Sequence, residues 1–306
     1  MKILFGVDGS KCSEEAIATA RTIRFPAGTE LMVLSAVDFL EDLPSLEGVK
    51  RKEINETERL VHNVVQQLRE THPNAIVTGA VKDGYTYESL LETCKEWKPD
   101  LMMLGSHGRT GLSFLLTGSV SRAMLQEAPC AVRVVRPRNQ ENEKSQTNNV
   151  ILALDDAAYA QNFIDHVLAF PWSEFTTFKC IHVVRELHRA LLAESEITPG
   201  EVLSQHYNDM VSGTEAWLEV AAQKLNNKFG KRVARAEVLV GDPRQALLEL
   251  AKSWPADLII MGSHGRHGLE KVILGSVSET VAMHAPCSVE IIRIKAMAAK
   301  KVHYIV

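Results

Sequence analysis

The residues with the clearest chemistry are glycines and serines that occur twice at one spacing. The first set reads Gly105-Ser106-His107-Gly108-Arg109, followed by Gly118-Ser119-Val120-Ser121. The second reads Gly262-Ser263-His264-Gly265-Arg266, followed by Gly275-Ser276-Val277-Ser278. In each, two residues separate the first two glycines and nine separate the second from the third. Glycines after a strand let backbone N–H groups approach an anion with no Cβ in the way. A helix starting at the third glycine adds unsatisfied amides and a partial positive charge. Together these features suit a phosphate group. Simple turn or packing glycines would explain one such set; two sets in register argue that the geometry is specified.

Neighbouring side chains carry weaker signals. Arg109 and Arg266 read as phosphate contacts, against the alternative of solvated loop side chains. His107 and His264 read as backbone donors or packing groups, since no paired carboxylate supports a general base. Ser119 and Ser276 read as helix N-caps. The five cysteines, Cys12, Cys94, Cys130, Cys180 and Cys287, have no CxxC spacing. They read as small buried apolar residues of a reducing cytoplasm, not as a disulfide framework or zinc site.

Each set needs a strand before it and a helix after it, and the chain supplies both. Apolar runs at 101–104 and 258–261 precede the two sets. In the first half the pattern predicts strands over 3–7, 31–37, 75–81, 101–104 and 131–135. It predicts helices over 13–23, 54–69, 86–97 and from 118 to about 126. Continuous apolar strands between amphipathic helices indicate a parallel sheet covered on both faces, an α/β fold.

The second half repeats the first. Trp97 and Asp100 match Trp254 and Asp257, and Ala128-Pro129-Cys130 matches Ala285-Pro286-Cys287, at one constant offset. The offset shrinks toward the start, where Asp8 matches Asp155, so the second half holds extra residues within 185–213. A period this long indicates duplicated domains, not a solenoid. The domains are expected over 1–137 and 149–296, joined by a polar linker over 138–148 and followed by a tail over 297–306. Extended at about 3.3 Å per residue, a linker of this length spans roughly 40 Å, enough to set the halves side by side.

The chain has 306 residues, is 45% hydrophobic and 24% charged, and carries a net charge of -4. Those values fit a soluble protein of about two domains, with no general attraction to nucleic acid or acidic membranes. No apolar run is long enough to span a bilayer.

The Gly-x2-Gly-x9-Gly-Ser signature, the Asp closing the first strand and the Ala-Pro-Cys before the last strand resemble the universal stress protein family, in its ATP-binding branch. The resemblance covers essentially the whole chain as two tandem domains. It implies two doubly wound domains, each a five-stranded parallel sheet in the order 3-2-1-4-5 flanked by helices. Ligand would then bind where the strand order reverses, beyond strands 1 and 4. By the same resemblance Asp8 holds the adenine end of ATP, with the Gly9-Ser10 turn beside it and help from backbone near Ala36 and Val37. Gly105, His107, Gly108 and Arg109 form the ribose and phosphate loop, and Gly118, Ser119, Val120 and Ser121 receive the phosphates. Asp155, Val183, Gly262, His264, Gly265, Arg266, Gly275, Ser276, Val277 and Ser278 take the same roles in the second half. The family's last strands pair across a dimer, so the edges at 131–135 and 288–294 are expected to pair inside this chain as a pseudo-two-fold unit, with a homodimer of chains as a further expectation.

The halves depart from one another at two turns. Asp8-Gly9-Ser10 becomes Asp155-Asp156-Ala157. Asp156 either repels phosphate, unless Mg²⁺ intervenes, or caps the following helix. Gly241-Asp242-Pro243 becomes Gly84-Tyr85-Thr86, without the proline.

The implied function is ATP binding that sets conformation or partner choice in a stress response. A slow ATP hydrolase is one alternative, although no GxxxxGK[ST] loop, DxD metal motif or water-positioning residue is present. An interaction module that binds no nucleotide is the other.

Overall fold

Alternating apolar strands and amphipathic helices fold into one continuous sheet clothed on both faces. The computed structural model describes residues 1–38, 47–107, 118–137, 148–185, 200–263 and 274–293, with backbone alone for 200–208. The linker residues 138–147, the tail, and Gly108, Arg109, His264, Gly265 and Arg266 lie outside the described residues. Asn148, expected in the linker, begins a strand.

The first half contains β1 (Lys2–Gly6), α1 (Lys11–Thr22), β2 (Glu30–Val37), α2 (Glu47–Thr71), β3 (Ile76–Asp83), α3 (Thr86–Trp97), β4 (Leu101–Gly105), α4 (Ser119–Glu127) and β5 (Ala131–Val135). The second contains β6 (Asn148–Ala153), α5 (Ala157–Ala169), β7 (Thr176–Val184), α6 (Gly200–Phe229), β8 (Ala234–Val240), α7 (Pro243–Ser253), β9 (Leu258–Gly262), α8 (Ser276–His284) and β10 (Ser288–Ile292). Part of the second half's extra length is helical: α6 has 30 residues where α2 has 25.

The ten strands are ordered β3-β2-β1-β4-β5-β10-β9-β6-β7-β8. Every neighbouring pair is parallel except β5 with β10. The strand order therefore reverses between β1 and β4 in the first half and between β6 and β9 in the second. A single antiparallel seam joins the halves, pairing Val132 with Ile291, Arg133 with Glu290 and Val134 with Val289.

Two apolar layers sandwich the sheet, and each runs through both halves. On one face Ile17 of α1, Val61 and Leu68 of α2, Phe163 and Ile164 of α5 and Leu218 of α6 pack on Phe5, Val33, Leu152 and Ile260. On the other, Leu90 of α3, Met124 of α4, Leu247 of α7 and Val281 of α8 pack on Leu4, Met102, Ile259 and Val289. Burying such side chains stabilises the fold by roughly 1.5–3 kcal/mol each. The missing proline at Thr86 leaves the turn before α3 unchanged in kind. Gly84 N donates to the Val37 carbonyl and Gly241 N to the Val184 carbonyl, both at 2.9 Å.

Candidate functional site

The first crevice is assembled by backbone and side-chain contacts at the carboxyl ends of β1 and β4. Val7 N donates to the Leu34 carbonyl at 2.9 Å, which keeps the end of β1 beside β2, the strand that ends with Ala36 and Val37. Gly9 then turns the chain with φ +74°, a conformation open to glycine. That turn lets Ser10 N and Ser10 Oγ both donate to Asp8 Oδ1, at 3.0 and 2.6 Å. Ser10 Oγ also accepts from Ser13 N, so it is the N-cap of α1. The same hydroxyl lies 3.1 Å from the His107 carbonyl, tying the β1–α1 turn to the end of β4.

Gly105 has a packing reason of its own. A Cβ there would lie 2.5 Å from the Cys12 carbonyl carbon and 2.6 Å from Ser13 N. The end of β4 touches the backbone of α1's first turn, and glycine is what permits that approach. Ser106 is buried beside it, its hydroxyl 3.4 Å from Cys12 Sγ and 3.1 Å from His107 Nδ1. His107 Nε2 is buried and has no hydrogen-bond partner among the described residues. Burial, and then the nearby Arg136 guanidinium, hold this imidazole below the ordinary histidine range.

The start of α4 differs from expectation in detail. Gly118, not Ser119, is the N-cap, and it offers no side chain to cap the helix. Gly118 N donates to the Ser106 carbonyl at 2.6 Å, so that amide is committed to closing the loop. Ser121 Oγ donates to the Gly105 carbonyl at 2.7 Å, so its proton ties α4 to β4. The first helical bond runs from Arg122 N to the Gly118 carbonyl at 2.9 Å. The amides of Ser119, Val120 and Ser121 precede it and emerge from the helix end. The exposed Ser119 hydroxyl stands beside them.

The second half repeats this geometry closely. Gly275 is the N-cap in place of Ser276. Gly275 N donates to the Ser263 carbonyl at 2.8 Å, Ser278 Oγ to the Gly262 carbonyl at 2.7 Å, and Glu279 N to the Gly275 carbonyl at 2.8 Å. Again the amides of Ser276, Val277 and Ser278 come before the first helical bond.

The β6–α5 turn is where the halves part. Asp156 sits at φ −148° and its side chain accepts from Ala158 N at 2.8 Å, so it caps α5. The capping alternative is the one realised. The cap moves one residue earlier than in α1, and Ala157 replaces the hydroxyl that links Ser10 to His107. Asp155 is exposed, and Val183 lies half-buried at the end of β7. The carbonyls of Val37 and Val184 are taken by Gly84 and Gly241. Of the two backbone positions expected to help Asp8, Ala36 keeps its carbonyl clear of that contact.

Charged residues at the seam went unread in the sequence. Arg133 Nε donates to Glu290 Oε2 at 2.7 Å, both residues buried. Glu290 Oε1 meets His166 Nε2 at 2.7 Å. Arg136 and Arg293 each reach into the opposite half. The usable signal was a charged residue inside otherwise apolar strands, Ala-Val-Arg-Val-Val and Ser-Val-Glu-Ile-Ile, at the same place in the repeat. All five cysteines are buried free thiols, and burial pushes Cys180 and Cys287 up to about 12. Among the described residues no group of three or more His, Cys, Asp or Glu is placed to hold a metal ion, and no helix is long and apolar enough to cross a membrane.

Comparison with known proteins agrees with this architecture. A family model described as Universal stress protein family matches residues 1–136 and again 147–293. The Synechocystis universal stress protein Sll1388 is 28% identical over 150 residues, covering 47% of this chain and 96% of that protein. The Mycobacterium bovis universal stress protein Mb2028c is 26% identical over 289 residues, covering 92% and 93%. The crystal structure of a universal stress protein from Archaeoglobus fulgidus superposes with a TM-score of 0.64 at 20% identity, covering 95% of this chain and 98% of that one.

Proposed function

The chain belongs to the universal stress protein family as a tandem of two such domains, and from that premise we propose that it is a cytoplasmic protein that binds ATP in the crevices at β1/β4 and β6/β9. Occupancy sets the conformation of the loops above the sheet, and through them the choice of partner protein in a stress response. The observation that carries this reading is the placement of Ser106 and His107. Their carbonyls receive Gly118 N on one side and Ser10 Oγ on the other. The first-turn amides of α4 and the Asp8 carboxylate therefore flank one short stretch of backbone. Amides at a helix start suit a phosphate, and a carboxylate suits the N–H and O–H donors of a nucleoside. Ser119, Val120 and Ser121 would take phosphate oxygens through their amides, as would Ser276, Val277 and Ser278 in the second crevice. Gly108, Arg109, Gly265 and Arg266 are assigned to the phosphates through the glycine signature.

Calorimetric titration of the unfolded, stripped and refolded full chain with ATP tests the proposal. Saturable binding that disappears in a Gly108→Val/Gly265→Val variant is expected. No binding by the wild-type chain overturns it and favours an interaction module. Phosphate release at several turnovers per second would identify a hydrolase instead.

A further inference from the structure

The seam between the halves contains two kinds of contact. One kind obeys the pseudo-two-fold symmetry. Arg136 and Arg293 occupy equivalent positions, and each caps a helix of the other half. The second kind breaks it. Arg133 and Glu290 are also equivalent positions in the repeat, and they lie directly opposite each other in the β5–β10 ladder. The pseudo-axis therefore passes between them. Arg122 of α4 and Glu279 of α8 are a second equivalent pair, and Arg122 Nη2 donates to Glu279 Oε1 at 2.7 Å. At both self-facing positions the first half supplies arginine and the second supplies glutamate.

A residue next to a two-fold axis meets its own copy whenever two identical surfaces pair. Two first halves joined by this edge would bury Arg133 against Arg133 and set Arg122 against Arg122. Two second halves would bury Glu290 against Glu290 and set Glu279 against Glu279. Buried like charges with no counter-ion are strongly unfavourable, whereas the mixed pair is compensated. The second half also builds a receptacle for the mixed pair. The Arg133 guanidinium lies 4.4 Å from the centroid of Phe170 and 5.7 Å from that of Trp172, while His166 takes the remaining Glu290 oxygen.

We propose that these two antisymmetric ion pairs make the seam selective: the β5 edge of a first half accepts the β10 edge of a second half and rejects its own kind. The symmetric contacts close the interface, and the antisymmetric charges choose its partner. The chain thereby closes on itself, its two inner sheet edges are withheld from like edges of other copies, and a homodimer of chains must form through another surface.

Two full-length variants test this. Arg122→Glu/Arg133→Glu carries glutamate at all four positions, and Glu279→Arg/Glu290→Arg carries arginine at all four. Each alone is expected to lose its seam, seen as a lower melting temperature and a larger hydrodynamic radius. Co-expressed, they are expected to recover as a one-to-one complex of about twice the chain mass, because each half then finds an opposite charge on the other chain. Co-expression that yields no mixed complex overturns the proposal, as does either variant alone behaving like wild type. A neutral chain, Arg122→Gln/Arg133→Gln/Glu279→Gln/Glu290→Gln, separates selection from folding. It is expected to stay folded and not to co-purify with either charged variant. If it unfolds as they do, the four residues serve stability alone and the proposal fails.

Discussion

Arg136 and Arg293 are equivalent in the repeat and exchange places in space. Arg136, which follows β5, donates through Nη2 to the Ala282 carbonyl at 2.6 Å and through Nη1 to the Cys287 carbonyl at 3.2 Å. Arg293, which follows β10, donates through Nη2 to the Leu125 carbonyl at 2.6 Å and through Nε to the Ala128 carbonyl at 3.1 Å. Leu125 and Ala282 are themselves equivalent. Each half thus satisfies the orphan carbonyls at the end of the other half's last helix, where a cation also meets the negative end of the helix dipole. Those helices, α4 and α8, begin at the candidate phosphate sites. The seam and the two crevices are held by the same short elements.

Removing these arginines should loosen the seam unequally. Arg136 is the more deeply buried of the two and contacts more carbonyls. Arg136→Ala should destabilise the chain by about 2–4 kcal/mol, and Arg293→Ala by about half as much. Lysine should rescue neither, since one ammonium cannot reproduce the fork. Urea unfolding of the four variants checks the order.

Acid should attack the same seam from the other side. Burial would raise the Glu290 pKa, but the Arg133 charge and then the His166 hydrogen bond outweigh it and hold it at about 2. An unfolded glutamate titrates near 4.5. The folded state therefore binds this proton less readily than the unfolded state. The resulting stabilisation is complete above about pH 4.5 and is lost as pH falls toward 2, a change of about 3 kcal/mol. Unfolding free energies measured across that window should fall more steeply for wild type than for Glu290→Gln.

Much of this was legible in the sequence, for physical reasons. Apolar runs and helical stripes fixed the α/β class, because burial on both faces of a parallel sheet leaves a distinct pattern. The repeat and the apolar edge strands placed the seam. Boundaries moved by a few residues, most at α2, which starts at Glu47 rather than near 54, because its first turns are polar and exposed. The site was read at the level of residues but not of atoms. Sequence marks that Gly118 and Ser121 matter; it does not tell that the amide of one and the hydroxyl of the other are bonded to Ser106 and Gly105. Arg133 and Glu290 were missed because their meaning lies in which residue faces which, and that is a property of register.

Gly105 offers a test of packing against ligand binding. Its Cβ would meet backbone atoms of Cys12 and Ser13, which cannot rotate aside as a side chain would. Gly105→Ala should destabilise the chain by about 3 kcal/mol. The loss should be the same with and without ATP if the glycine serves the β4–α1 contact alone. Thermal melts in both conditions decide it, and a loss seen mainly with ATP present would assign the residue to the ligand.

The two turns after β1 and β6 should respond differently to the removal of their caps. Ser10→Ala removes the α1 cap together with the hydroxyl contacts to Asp8 and His107. Asp156→Ala removes the α5 cap, which involves no residue of the β9 loop among the bonds described. Each should cost about 1 kcal/mol of stability through its helix. Only Ser10→Ala should also weaken ATP binding, and only at the first crevice, because it removes one of the donors to Asp8 Oδ1 and unties the two sides of the site. Repulsion of phosphate by Asp156 predicts the opposite for the second crevice, a gain in affinity when the carboxylate is removed. Titration of both full-length variants alongside urea unfolding separates the two accounts. Unchanged affinity with reduced stability in Asp156→Ala would identify that aspartate as a cap and nothing more.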